Sequence, residues 1–218
     1  CVADYAMNKR GLTISFVHIP KTIDNDLPLP EGIPTFGFET ARSLGTQLVS
    51  NLMEDAKTTG RWFIAVAMGR TAGHLALGIG KSAGATVTVI PEEFLGKELI
   101  PMSLIVDILT GAIIKRLASE RKYGVAVVAE GLLERIREED LEALSCIEHD
   151  DHGHVRYAEI SFSSVLKREV QANLASLGIK MDITNKEIGY EVRCATPNAF
   201  DIEYTRNLGF AAIEFLKE

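Results

Sequence analysis

The chain has 218 residues, 46% of them hydrophobic, and carries 30 acidic against 23 basic side chains for a formal net charge of -7. That length suffices for one large α/β core or two smaller lobes. The acidic balance argues against nucleic acid or an anionic membrane as a nonspecific partner, because no basic face has enough surplus charge to release counterions. No apolar run approaches the length of a membrane span, and the opening CVADY lacks the basic start and apolar core of a secretory leader, so a cytoplasmic location is expected.

Residues 2–9 read as a short helix stopped by Gly11, and a chain that opens at Cys1 inside such a helix is expected to be a fragment entering mid-domain. Cys1, Cys146 and Cys194 have neither CxxC nor metal spacing and read as reduced thiols. Residues 13–19 (TISFVHI) are β-branched and aromatic, the pattern of a buried strand, and Pro20 then removes a ladder donor. The next turn, Pro-Lys-Thr-Ile-Asp-Asn-Asp at 20–26, places Lys21, Thr22, Asp24 and Asp26 at a strand's carboxyl end, where open α/β sheets bind ligands. Two carboxylates so close repel unless a cation or proton lies between them, and Mg²⁺ held by one or two carboxylates plus substrate phosphates meets that need. The plainer reading is a turn in which each Asp caps backbone amides.

Pro28, Pro30, Gly32 and Pro34 mark an irregular connection, after which Leu44, Leu48, Leu52 and Ala56 predict a helix over 36–57. A strand at 62–67 ends in Met68-Gly69-Arg70. Residues 73–84 predict a helix rich in small residues, followed by a strand at 86–90 and a loop at 91–94. Residues 102–122 predict a helix with one apolar stripe, and the strand at 124–129 delivers Glu130 at its tip. An acidic connection through His154 leads to a helix at 163–177, a weak strand at 180–188 and a last helix at 200–216. Alternating strands and helices of this length mean βαβ units and a mainly parallel sheet.

Two motifs fail on inspection. Gly80-Lys81-Ser82 ends like a phosphate-binding loop, but Leu75 stands where the first Gly belongs; Gly78 and Gly80 are followed by Ala83 where a dinucleotide fingerprint has its third Gly. The segment reads instead as a closely packed helix whose N-terminus is open to an anion. The His149-Asp150-Asp151-His152-Gly153-His154 run reads as a solvated loop rather than a metal site, since nothing fixes the ring orientation that ligation requires.

Four motifs in order, Pro-Lys-Thr-Ile-Asp-Asn-Asp at 20–26, Met-Gly-Arg at 68–70, Ala-Glu-Gly at 129–131 and Gly-Tyr-Glu-Val-Arg at 189–193, carry a resemblance across essentially the whole chain. It resembles the phosphofructokinases, and among them the pyrophosphate-dependent ones. The resemblance implies an α/β fold of two Rossmann-like parallel-sheet lobes. Residues 1–35 and 192–218 would belong to an incomplete donor-side lobe and 36–191 to the sugar-phosphate lobe. It implies transfer of a phosphoryl group from pyrophosphate to O1 of fructose 6-phosphate, with Mg²⁺ as cofactor.

By position, Asp24 would be the general base and Asp26 would lie near the metal. Thr22 and Ile23 would contact the sugar, Met68, Gly69 and Arg70 the sugar or the transferring group, and Glu130 the sugar hydroxyls. Tyr190 and Arg193 would hold the 6-phosphate, while Arg61 would serve a neighbouring subunit of a homodimer or homotetramer. Lys21 stands where ATP-dependent relatives typically carry Gly, which favours pyrophosphate as donor. The family's Gly-Gly-Asp donor loop is absent from this sequence, so the isolated chain is expected to be inactive. An ATP-dependent enzyme, a noncatalytic regulatory subunit and a sugar-phosphate-binding module remain open readings.

Overall fold

The computed structural model describes residues 2–94, 96, 99–143 and 161–217. Four parallel strands, β1 (Trp62–Ala67), β2 (Val87–Val89), β3 (Gly124–Ala129) and β4 (Ile183–Ile188), form one sheet in the order β2-β3-β1-β4. The central strands β1 and β3 are buried at every position, as their uninterrupted apolar sequences require of strands covered on both faces. Their registers align, Ala67 beside Ala129 and also beside Ile188 of β4, so three strands finish at the same level.

Alternate side chains feed two cores. Trp62, Ile64 and Val66 pack with α4 (Met102–Ala118) and α6 (Phe162–Ser176) on one face; Phe63, Ala65 and Ala67 pack with α2 (Phe38–Thr59) and α3 (His74–Ala83) on the other. The expected tight packing of the small-residue helix is present. A Cβ at Gly80 would collide with the Thr88 side chain, one at Gly45 with Ile79, and one at Gly78 would lie 2.8 Å from Arg42 Cδ.

The remaining helices are short α1 (Val2–Asp4), continued by a π-type turn at Tyr5–Lys9, then α5 (Glu138–Ala143), α7 (Tyr190–Arg193) and long α8 (Ala199–Lys217). The expected helix at 102–122 ends at Ala118, because Glu120 turns into the left-handed region at φ 59°. The sequence reading did not anticipate α5, α7 or the 3-10 turn Glu130–Arg135.

One expected element does not form. Residues 13–19 contain neither strand nor helix and are largely exposed, Phe16 at 41% and Ile14 at 47%. A strand needs a neighbour to accept its ladder bonds, and no described segment runs alongside this one. The described residues therefore form a single sheet.

The N-terminus of α2 is held from far away in sequence. Its N-cap is Gly37, which has no side chain to accept the first amides. Asp201, only 2% exposed, fills that role: its carboxylate accepts Gly37 N–H at 2.6 Å, Thr40 N–H at 2.8 Å and the Thr40 hydroxyl. Asn198 returns the favour for α8, accepting Asp201 N–H at 3.0 Å while its own N–H donates to Thr40 Oγ1 at 3.0 Å. Asp201 is the only buried residue of α8. Replacing Asp201 with Ala leaves three donors without their acceptor and should cost about 2–4 kcal/mol of stability in a urea titration; Asp201→Asn, which keeps an acceptor, should cost less.

Candidate active site

Because β1, β3 and β4 end together, the segments that leave them meet at one end of the sheet. The turn after β1 lies against the start of the segment after β3: Gly69 N–H donates to Glu130 Oε2 at 3.2 Å. That contact needs glycine on both sides. Gly69 has φ 151°, and a Cβ at Gly131 would sit 2.9 Å from the Thr71 carbonyl carbon, a backbone atom with little room to shift. After β4 the chain turns through Gly189 into α7, which carries Tyr190 and Arg193. Glu191 fastens this turn by accepting Gly189 N–H at 3.1 Å and pairing with Lys186 Nζ at 2.8 Å. A cleft of about 470 Å³ opens between these segments, lined by Met68, Glu130, Tyr190 and Arg193 together with Ser161 and Glu187.

The 20–26 turn closes the assembly. Ile23 is buried and packs with Phe38, anchoring the turn to the α2 face. Thr22 Oγ1 accepts Asp24 N–H at 3.0 Å, a local hydroxyl turn. Asn25 adopts a positive φ of 56°, so Asp24 and Asp26 flank a sharp reversal rather than an extended stretch. Its Oδ1 accepts Thr35 N–H at 2.9 Å. A second cleft of about 350 Å³, lined by Lys21, Ile23, Gly37, Arg193 and Arg206, adjoins the first through Arg193.

Electrostatics show which groups face one another. Burial, and then the charge of Asp26, push the Asp24 carboxyl above its ordinary value, against the opposing pull of the Arg70 backbone amide and the Lys21 and Arg193 charges. Burial likewise raises Glu130, opposed by the Gly69 amide and reinforced by Glu187 and Asp24. Burial works against ionisation of Glu191 as well, but its bonds from Lys186 and from the backbone of Glu191 and Gly189 prevail and lower its pKa. A half-buried Asp with a raised pKa is a better proton acceptor than a solvated one, and it lies among cations suited to anionic oxygens.

Lys21, Thr22, Asp24, Asp26, Met68, Gly69, Arg70, Glu130, Tyr190 and Arg193 thus gather at one end of the sheet, with Ile23 as their apolar anchor. Arg61 does not join them. It precedes β1 at the opposite end, its Nε 4.0 Å from Asp182 Oδ2, and a six-residue strand of about 20 Å separates the two ends. The N-terminus of α3 is not open to an outside anion either, since Glu92 Oε1 already accepts Gly73 N–H at 2.8 Å. The 149–154 histidine run, Cys1 and Cys146 lie outside the described residues; Cys194 is a free thiol.

Among the described residues no cluster of three or more His, Cys, Asp or Glu side chains is arranged to hold a metal. The charge of Asp26 acts on Asp24, and two such neighbouring oxygen donors are suited to a divalent cation shared with further oxygens. Glu187 and Asp201 were missed in the sequence because each stands alone with no motif around it, and Glu191 because its partners, Lys186 and the Gly189 amide, are set by the fold of the turn. No described helix is long and apolar enough to cross a membrane.

The phosphofructokinase family profile matches residues 3–216. Two curated relatives are named pyrophosphate--fructose 6-phosphate 1-phosphotransferase. The Thermotoga maritima protein is 53% identical over 205 residues, covering 93% of this chain and 48% of the relative. The Naegleria fowleri protein is 52% identical over 211 residues, with the same coverage of 93% and 48%. The chain spans about half the length of these relatives. Among solved structures, phosphofructokinase from Saccharomyces cerevisiae superposes with a TM-score of 0.63 at 22% identity over 89% of this chain and 22% of its own. A pyrophosphate-dependent phosphofructokinase from Marinobacter aquaeolei gives 0.63 at 21% identity over 98% and 47%. The profile match across nearly every residue, together with the shared fold, establishes that the chain belongs to the phosphofructokinase family.

Proposed function

We propose that this chain carries the acceptor side of a phosphoryl-transfer site, at which O1 of fructose 6-phosphate attacks pyrophosphate to give fructose 1,6-bisphosphate and phosphate. The observation that carries the reading is the environment of Asp24: half-buried, raised in pKa, and within reach of the charges of Lys21 and Arg193 and of the Arg70 backbone. The names of the relatives supply the substrates.

In this reading Asp24 takes the proton of the 1-hydroxyl as the new bond forms, its basicity increased by desolvation. Lys21 and Arg70 face the charge spread over the transferring phosphoryl group, where fixed cations account for most of the catalysis of a loose transition state. Tyr190 and Arg193 hold the 6-phosphate, and Arg193 suits that role because its planar fork matches phosphate oxygens. Glu130, oriented by the Gly69 amide, accepts from sugar hydroxyls beside Met68 and Gly69, with Thr22 and Ile23 shaping the wall. Mg²⁺, held by Asp26 and substrate oxygens, would supply further neutralisation of the phosphates.

Residues 36–191 form the sugar-phosphate lobe in this scheme, and 1–35 with 192–218 belong to a donor-side lobe. Supporting that division, residues 12–17 and α8 expose Leu12, Phe16, Phe210, Ile213 and Phe215, a density of apolar surface that suits burial within a further layer. The placement of Arg61 at the far end of the sheet suits service to a second subunit of a homo-oligomer in the cytoplasm.

Changing Asp24 to Ser in the active protein should lower kcat by about three orders of magnitude or more with little change in KM, as measured by steady-state assay. An unchanged kcat would remove Asp24 from the role of base. Lys21→Gly should depress the pyrophosphate-dependent rate far more than any ATP-dependent one; equal losses would refute the donor assignment.

Glu130 offers a stability test. Its folded pKa lies above the unfolded value, so folding is unpenalised below about pH 4.3, where both forms are protonated. The penalty then grows as pH rises to the folded value and is full above it. Glu130→Gln should therefore raise the melting temperature at pH 7, lose that gain below pH ~4, and weaken sugar-phosphate binding about tenfold by calorimetry.

A further inference from the structure

We propose that His74 is a positioning residue for the loop that carries Asp24, bracing it against the end of β2 through Glu92. The proposal rests on the reading of Asp24 given above for its catalytic consequence, though not for its structural one.

Asn25 sits between the two aspartates with φ 56°, in a region sparsely populated by residues other than glycine. Such a backbone is held by its surroundings rather than by its own preference. The Asn25 side chain is fixed by Thr35 N–H, but that bond is internal to the irregular stretch before α2 and ties the loop only to itself. The Asn25 carbonyl is fixed from the sheet lobe, 2.7 Å from His74 Nδ1. A carbonyl oxygen only accepts, so Nδ1 carries the proton and donates it. The opposite ring nitrogen, Nε2, then faces Glu92 Oε1 at 3.6 Å.

Glu92 is itself immobilised. It belongs to the 3-10 turn Pro91–Phe94, close after β2, and Oε1 also accepts Gly73 N–H at 2.8 Å. Its carboxylate fits there only because residue 73 is glycine: a Cβ would strike Glu92 Oε2 and Ile90 Cβ. Oε2 is buried with no hydrogen-bond partner among the described residues, so the carboxylate relies on the α3 N-terminus for compensation. A line of contacts runs from the β2 end through Glu92 to the Gly73 amide, and from the adjoining His74 through its ring Nδ1 to Asn25 O. The buried Ile23 side chain and the Arg70 amide at Asp24 also join the turn to the rest.

Releasing the Asn25 carbonyl lets φ relax to negative values, and rotation at that bond redirects Asp24 relative to Asp26. A base displaced by about 1 Å from its productive position costs about 100-fold in rate without a matching loss of binding.

The test compares His74→Leu, which has no donor, with His74→Asn, whose Nδ2 can donate from near the place of Nδ1. In amide hydrogen exchange on this chain, His74→Leu should speed exchange of residues 24–35 by about fivefold or more while leaving β1 and β3 protected, and His74→Asn should restore protection. In the active protein, His74→Leu should lower kcat by about 10–100-fold with KM for the sugar phosphate changed less than about threefold, again recovered by His74→Asn. Unchanged loop exchange in His74→Leu overturns the brace, as does loss of protection that His74→Asn fails to restore. Asp24→Ser, assayed alongside, separates the two ideas. If it abolishes turnover while His74→Leu turns over normally, the catalytic role of the brace is wrong; if it turns over normally, the reading of Asp24 is wrong and exchange alone judges His74.

Discussion

A buried carboxylate carried by the first turn of one helix and bound by the N-terminus of another sets the geometry of this molecule. Asp201 enters α8 in its first turn and leaves its charge among the opening amides of α2, in place of the side chain that Gly37 lacks. A helix N-terminus is a natural seat for a carboxylate, and here a residue more than 160 positions away occupies it. Gly37 in turn packs closely on the Ile23 side chain, 3.3 Å from where its Cβ would stand, so the start of α2 also sets the height of the 20–26 turn. Parts of the chain far apart in sequence meet through this group and the neighbouring Asn198.

What the carboxylate does for the loop, strand register does for the rest of the site. Since Ala67, Ala129 and Ile188 lie abreast, Met68–Arg70, Glu130 and Tyr190–Arg193 leave the sheet together without needing long connections. The two acids gathered there, Asp24 and Glu130, are both raised in pKa chiefly by burial, and the Asp24 charge adds to the penalty on Glu130. Folding thus carries an electrostatic cost at this end of the sheet, a pattern that marks a candidate ligand site.

The sheet was largely legible in the sequence. β1 and β3 match their expected limits because an unbroken run of apolar, mostly β-branched or small residues between turn signals has few other ways to be satisfied. The candidate site was legible as motifs at strand ends, whose residues Lys21, Asp24, Asp26, Arg70, Glu130 and Arg193 the fold brings to one region. Residues 13–19 misled for the opposite reason: strand propensity describes a fit to a pleated surface, and no described neighbour provides one. Asp201, Glu92 and His74 were illegible because their partners are fixed by tertiary packing, while the sequence around each reads as ordinary helix or loop.

The glycine contacts beneath α2 and α3 bear on how such a site can open and shut. With Gly80 against Thr88, Gly45 against Ile79 and Gly78 against Arg42, the two helices interlock with each other and with the sheet at side-chain resolution, leaving no smooth surface along which one layer can slide. Shear is therefore the costly mode of motion for this half of the molecule, and rotation about the irregular connections at 27–36 and 194–198 is the inexpensive one.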